Sequence, residues 1–153
     1  MRLFFILLYI SFLITGCTES NNSDKGSSFI FHKTELAIIE SKEGRMFSVN
    51  WVMENLTDQS FSPIYAKLVF ANDVISELIG SKESQINIDL EIKANETRMF
   101  GDNLKIAVDK NIDVNQIKEI VEKENAVQVH IMNEKNELIA SKWLHHFEYV
   151  KVE

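Results

Sequence analysis

The chain has 153 residues, and its 23 acidic against 16 basic side chains give a formal net charge of −7. This length is enough for one domain of ordinary size. The acidic balance argues against nucleic acid or an anionic lipid surface as the main partner, because both repel a negatively charged protein. Cys17 is the only cysteine of the chain.

The N-terminal segment has the layout of a secretory signal. Arg2 provides a positive charge, and the residues from Leu3 to Ile14 that follow it are uncharged and almost all apolar. Small residues and then Cys17 come next, as expected at a processing site. A transmembrane helix needs roughly 20 apolar residues, so this run is too short to span a bilayer. An ordinary signal peptide with a chance cysteine is the alternative.

The tetrad Ile14-Thr15-Gly16-Cys17 resembles the lipobox of bacterial lipoproteins, which has an aliphatic residue, two small residues and then cysteine. The resemblance implies that a dedicated peptidase cuts between Gly16 and Cys17, after a diacylglyceryl group has been attached to the Cys17 sulfur. An additional N-acyl chain on Cys17 is compatible with it. Because one acyl chain alone binds a membrane only marginally, two chains suit a stable anchor. We expect no other cofactor, and the lipid leaves no thiol for a disulfide or a metal.

The same resemblance implies the extracytoplasmic face of the cell membrane as the location. A composition rich in Asn, Lys, Ile and Glu favours a Gram-positive host. If the host has an outer membrane instead, Thr18 after the cysteine favours sorting to that membrane.

We divide the chain into a signal peptide at 1–16, a lipidated cysteine with a polar tether at 17–28, and one globular domain at 29–153. Cleavage leaves 153 − 16 = 137 residues and removes Arg2, which changes the net charge to −8. The polar tether, as a flexible coil, would span roughly 18 Å.

Alternation of apolar and polar residues predicts strands with one buried and one solvated face. The strands, in chain order, are one of undefined limits within Phe29–Ser41, then Met46–Glu54, 64–70, 86–92, and the trio Leu104, Ile106 and Val108. Near the C-terminus, 127–131 and the run from Leu138 to Val150 flank turn-forming residues and predict a hairpin. If this hairpin turns at 134–135, His130 on its first strand would lie opposite Ile139 on its second.

Residues Asp113–Asn125 break the alternation and have the spacing of an amphipathic helix. Asp113 is predicted to cap this helix, with Gln116 at the second position of a capping box. Ile112 and Ile117 would form the hydrophobic staple. Residues 72–85 allow either a short helix or an edge strand.

About seven closely spaced strands and one late helix predict a mainly β, two-sheet antiparallel sandwich. The order of elements resembles immunoglobulin-like domains of secreted bacterial lipoproteins, in which a turn similar to Ile92–Thr97 precedes the crossover between the sheets. The helix at 113–125 would be that crossover. A true immunoglobulin domain is excluded, because the antibody-type cysteine pair is absent. The alternative is an α+β domain with the helix packed on one curved sheet.

The histidines are the candidates for a metal site, which needs three or four converging ligands. His130 and His145 come first, yet on the predicted hairpin they lie about three residue pairs apart, too far for a common ion. Adjacent His145 and His146 would point to opposite faces of a strand. We therefore predict surface histidines and no metal centre.

No catalytic motif is present: the sequence lacks a Gly-x-Ser-x-Gly elbow, a His-Glu-x-x-His helix and a Gly-rich phosphate loop. Trp143, Phe147 and Tyr149 could form an aromatic binding strip on the last strand. We favour Trp51 and Trp143 as core residues, one from each sheet. The prediction is a non-catalytic module that binds another envelope protein through a strand edge or loops. A small-ligand or metal-binding lipoprotein is the alternative.

Overall fold

The computed structural model describes residues 28–106 and 113–152, apart from the side chains of residues 87–90. Within these residues, eight strands form two four-stranded sheets, and the core lies between them. The elements are β1 (Phe29–Ser41), β2 (Gly44–Asn55), β3 (Phe61–Phe70), α1 (Asp73–Ile79), β4 (Glu83–Ile92), β5 (Thr97–Lys105), α2 (Val114–Lys123), β6 (Val127–Asn133), β7 (Leu138–Trp143) and β8 (Phe147–Lys151). The predicted β-sandwich is confirmed.

Sheet 1 has the strand order β5-β2-β1-β8, and sheet 2 has the order β4-β3-β6-β7. Neighbouring strands are antiparallel except β1 and β8, which run parallel. The division of β1, β2 and β5 from β3, β6 and β7 is that of strands A, B, E and C, F, G in immunoglobulin-like domains. The immunoglobulin-like architecture is therefore confirmed, and β8 adds a strand to sheet 1.

The core forms where the alternation predicted it. The apolar residues of β2 at 47, 49, 51 and 53 and those of β3 at 64, 66, 68 and 70 are all buried. Trp51 stacks on Phe100 with ring centroids 5.7 Å apart, and Phe47 meets Phe70 of the opposite sheet edge to face at 6.3 Å. Full burial of a Val, Leu, Ile, Phe or Met side chain contributes roughly 1.5–3 kcal/mol relative to leaving it exposed.

The described residues contain two helices, whereas the sequence predicted one and left 72–85 open. Residues 72–85, for which the sequence allowed a helix or a strand, contain part of each. Asn72 caps α1, and β4 begins at Glu83. The predicted cap of α2 is confirmed, since Asp113 Oδ1 accepts hydrogen bonds from Asn115 N at 3.0 Å and Gln116 N at 3.2 Å. In chain order α2 lies between β5 of sheet 1 and β6 of sheet 2, as the crossover prediction requires. Ile112 of the predicted staple lies outside the described residues.

The predicted strand around Leu104, Ile106 and Val108 is misplaced. β5 covers Thr97–Lys105, and its register with β2 runs from Glu54 opposite Thr97 to Met46 opposite Lys105. The stacking of Phe100 on Trp51 determines which residues of β5 face the core. Ile106 is buried just past the strand, while Val108 lies outside the described residues.

The prediction of one C-terminal strand from Leu138 to Val150 is wrong. The chain leaves sheet 2 after Trp143 and enters sheet 1 at Phe147. Leu144 is buried at the transition, its N–H donates to Val127 O at 2.9 Å, and Leu36 N–H donates to His146 O at 2.8 Å. Leu144 and Phe147 both enter the core three residues apart, which an uninterrupted strand cannot achieve.

The predicted hairpin register is also wrong, by two residues. His130 lies opposite Ser141, not Ile139. The loop is wider than a two-residue turn, because Asn133 Oδ1 accepts from both Lys135 N and Glu137 N. Asn136 supplies the left-handed backbone, with φ 61°, that closes it.

Candidate functional site

The structure separates the predicted metal candidates. His130 lies on the outer face of sheet 2, where its Nε2 is 2.8 Å from Gln128 Oε1 and Lys67 is its cross-strand neighbour. Burial, together with the Lys67 charge, holds the pKa of His130 below its ordinary value of 6.5. His145 and His146 lie exposed in the connection between β7 and β8, not on a strand. Residues 28–106 and 113–152 contain no cluster of three or more His, Cys, Asp or Glu suited to a metal ion.

The aromatic strip that the sequence left as an alternative to core tryptophans is not formed. Trp143 belongs to sheet 2, whereas Phe147 and Tyr149 belong to sheet 1. Phe147 is buried in the core, and Tyr149 donates a hydrogen bond of 3.0 Å to Glu40. Trp51 is a core residue as predicted, but Trp143 is only half-buried and lies on the outer face of sheet 2 opposite Gln128.

The outer face of sheet 1 has small residues at its centre and larger apolar residues around them. Ala37, Ser48 and Asn103 occupy one row across β1, β2 and β5, and Asn50 with Gly101 belongs to the next. Ser48 exposes only 5% of its surface although it points away from the core. The apolar residues around this centre are Ile39, Met46, Val52, Met99 and Val150.

A depression of about 510 Å³ lies on this face and is called the sheet 1 groove below. Ser48, Asn50 and Gly101 belong to its lining, together with Ile39, Met99 and Asn103. A smaller hollow of about 220 Å³ adjoins it beside Lys33, Glu35 and Val52. Met99 lines both depressions and exposes 71% of its surface.

A side chain at position 101 would clash with its neighbours. A Cβ atom there would lie 2.1 Å from Asn50 Oδ1 and 2.9 Å from the Val49 carbonyl oxygen. The Asn50 amide therefore rests against the backbone of β5, and its Nδ2 donates to Ser48 Oγ at 3.4 Å. These contacts give the groove a polar floor beneath an apolar rim.

Two pairs of titratable side chains lie near the groove. Lys33 Nζ lies 2.6 Å from Glu35, and this contact raises the pKa of Lys33. Glu148, next to Ala37 in the register, lies 3.1 Å from His146. The groove thus combines an apolar rim with amide and hydroxyl groups inside it.

Sequence reasoning missed this face. Met99 stands at an outward position beside Arg98, and the alternation rules assign such a position to solvent. Gly101 is the available signal, because a glycine inside a strand often marks close approach of another group. The pattern around it was not recognised as a strand.

No family model and no curated protein matches the chain. The fold is similar to part of the Pseudomonas fluorescens alkylpurine DNA glycosylase AlkC, with 8% identity, TM-score 0.41, and coverage of 80% of this chain and 31% of that one. It is similar to part of Bacteroides uniformis beta-glucuronidase 2, with 11% identity, TM-score 0.43, and coverage of 80% of this chain and 13% of that one. The chain thus spans less than a third of either enzyme.

A third similarity is to the ligand binding region of Serine-glutamate repeat protein A of Enterococcus faecium. It has 11% identity and TM-score 0.38, and covers 82% of this chain and 97% of that one. At these identities the likeness concerns the fold alone. None of the helices among the described residues has the length and apolar character needed to cross a membrane.

Proposed function

We propose that this protein is a lipid-anchored, extracytoplasmic module of the cell envelope that binds another envelope protein without catalysis. The observation that carries the binding role is the sheet 1 groove, with Met99 exposed at its rim. The lipobox tetrad ending at Cys17 supports the anchor.

The composition of the groove suits a protein partner. Methionine adapts its shape to a partner surface, since its side chain is unbranched and polarisable. Asn50 and Asn103 offer donors and acceptors to a partner backbone. The partner would meet this surface close to the membrane, because the tether spans only roughly 18 Å.

The anchor is tested with Cys17→Ser in the full chain. We expect the variant to lose palmitate labelling and to leave the membrane fraction, because the thioether cannot form. Thr18→Ala serves as the control and should remain labelled and membrane-bound. Labelled, membrane-bound Cys17→Ser protein would refute the anchor.

The binding face is tested by photo-crosslinking from two matched positions in intact membranes. Val52 and Val69 are half-buried valines on the outer faces of sheets 1 and 2, respectively. A photoreactive residue at 52 should capture a discrete envelope protein, and the same residue at 69 should not. Asn50→Lys, which places a long cation in the groove, should abolish capture from 52. Equal capture from both positions, or none from 52, would refute the assignment.

A further inference from the structure

β5 ends sheet 1, with β2 as its only partner strand within residues 28–106 and 113–152. An edge strand presents backbone N–H and C=O groups that can pair with another chain. Of the two edges of sheet 1, β5 is the one that borders the groove.

The sequence of β5 is complementary to itself in antiparallel orientation. Its central residues read Arg98-Met99-Phe100-Gly101-Asp102, which is basic, large apolar, aromatic, small and acidic. When two copies pair around Phe100, Arg98 of each copy lies opposite Asp102 of the other. Met99 then lies opposite Gly101, and both contacts occur twice through the two-fold symmetry.

Both pairings agree with the faces on which these residues lie. Met99 and Gly101 are on the outer face, where one side chain projects and the other is absent. A second copy would therefore bring its Met99 alongside the groove next to Gly101. Large and small residues directly opposite each other pack without the clash that two methionines would create.

Arg98 and Asp102 lie on the opposite face of β5 from Met99 and Gly101. Both side chains can form further hydrogen bonds to a partner. Arg98 Nη1 donates to Glu91 O at 2.8 Å, which uses one of five guanidinium N–H donors. Asp102 Oδ1 accepts from Asn103 N at 2.8 Å, and its other carboxylate oxygen can accept from an arginine. Opposite charges directly across a strand pair stabilise the pairing.

We propose that two copies of this protein pair antiparallel through β5, centred on Phe100, and form one continuous eight-stranded sheet. The interface is isologous and closed, so the assembly stops at a dimer. A shift to a centre at Gly101 would place Phe100 opposite Asp102 and lose both complementary contacts. The dimer brings two grooves side by side on one surface, independently of what the groove binds.

Cysteine crosslinking of full-length protein in membranes tests the register. Thr97 and Asn103 are exposed outer-face residues of β5 that lie opposite each other only in the proposed pairing. Differently tagged Thr97→Cys and Asn103→Cys copies should crosslink with each other under mild oxidation, since opposite Cβ atoms lie about 4.5–5.5 Å apart. Thr97→Cys copies alone should not crosslink, and this sample also controls for Cys17. Crosslinks from Thr97→Cys to itself, or none in the mixture, would overturn the proposal.

A charge exchange tests the pairing without new cysteines. Arg98→Asp and Asp102→Arg each place like charges opposite each other twice per dimer, so self-association should weaken about ten-fold or more. The double variant restores opposite charges and should recover the dimer. Energy transfer between labelled copies in membranes measures association, and thermal unfolding shows that each variant is folded. A folded double variant that stays monomeric would overturn the proposal, as would single variants that remain dimeric.

Capture from position 52 should persist in the charge variants. The groove can therefore bind its partner if dimerisation fails, and dimerisation can hold if the groove captures nothing.

Discussion

The two outer faces of the sandwich differ although the two inner faces are alike. On sheet 2, long side chains meet each other: Lys67 pairs with Glu83, His130 with Gln128, and Tyr65 with Asn136. On sheet 1, the centre consists of small residues and leaves a groove. Burial dictates the inner faces of both sheets, whereas the outer faces are free to differ. The groove gives a partner a recess on sheet 1, which makes this sheet the candidate binding face.

The largest effect should come from the residue that holds the two sheets together at one end. Asn55 is fully buried, and its Nδ2 donates to Gln59 O at 2.7 Å and Lys93 O at 2.9 Å. Its Oδ1 accepts from Thr57 N at 3.0 Å and Thr57 Oγ1 at 2.8 Å. Asn55→Ala leaves these groups without their partner and should cost about 3 kcal/mol.

Urea unfolding measures the change, with Asn50→Ala on the same strand as the control. Asn50 is half-exposed, so its truncation should cost less than about 1 kcal/mol. Similar costs for the two variants would show that Asn55 does not hold this end of the sandwich.

Gly101→Ala tests whether the groove floor is as tightly built as the geometry indicates. The added Cβ meets Asn50 Oδ1 and the Val49 carbonyl, so the variant should lose about 1–3 kcal/mol. Asn50→Ala in the same chain removes the side-chain clash and should recover part of that loss. A double-mutant cycle from unfolding midpoints gives the coupling, and additive effects would contradict the contact.

The same difference between inner and outer faces explains what the sequence could predict. β2 was assigned correctly because Phe47, Val49 and Trp51 alternate with polar residues, and burial enforces that period. The transition after Trp143 was missed because neither glycine nor proline marks it. Its only signal is length, since the run from Leu138 to Val150 is longer than its partner β6.

The groove could not be predicted for a different reason. It depends on which residues of β5 lie beside Ser48 and Asn50, and this register is a tertiary property. Phe100 sets it by stacking on Trp51, a residue far away in the sequence. Alternation within one strand contains no information about such neighbours.

Truncating one side chain on each outer face should separate effects on folding stability from effects on self-association. Trp143→Ala removes a half-buried ring from sheet 2 and should cost about 1–2 kcal/mol. Met99→Ala should change stability by less than about 0.5 kcal/mol, because Met99 is mostly exposed. Only Met99→Ala should weaken self-association in the energy-transfer assay. If Trp143→Ala weakens self-association as much as Met99→Ala does, the assignment of the interface to β5 is wrong.

The smallest effect should be the pH dependence that arises from His130 on sheet 2. Burial and Lys67 lower the pKa of His130 in the folded protein, so the unfolded chain takes up the proton at higher pH. The contribution of neutral His130 is therefore complete above about pH 6.5 and is lost as the pH falls towards the lower folded pKa. Glu40 contributes in a separate pH window, below its ordinary pKa of 4.5, because hydrogen bonds from Arg45 and Tyr149 lower the pKa of its carboxyl group. Urea midpoints at about pH 7 and about pH 5.5 should differ less in His130→Gln than in the unaltered protein. If the urea midpoint changes equally with pH in both proteins, the pH dependence of stability comes from groups other than His130.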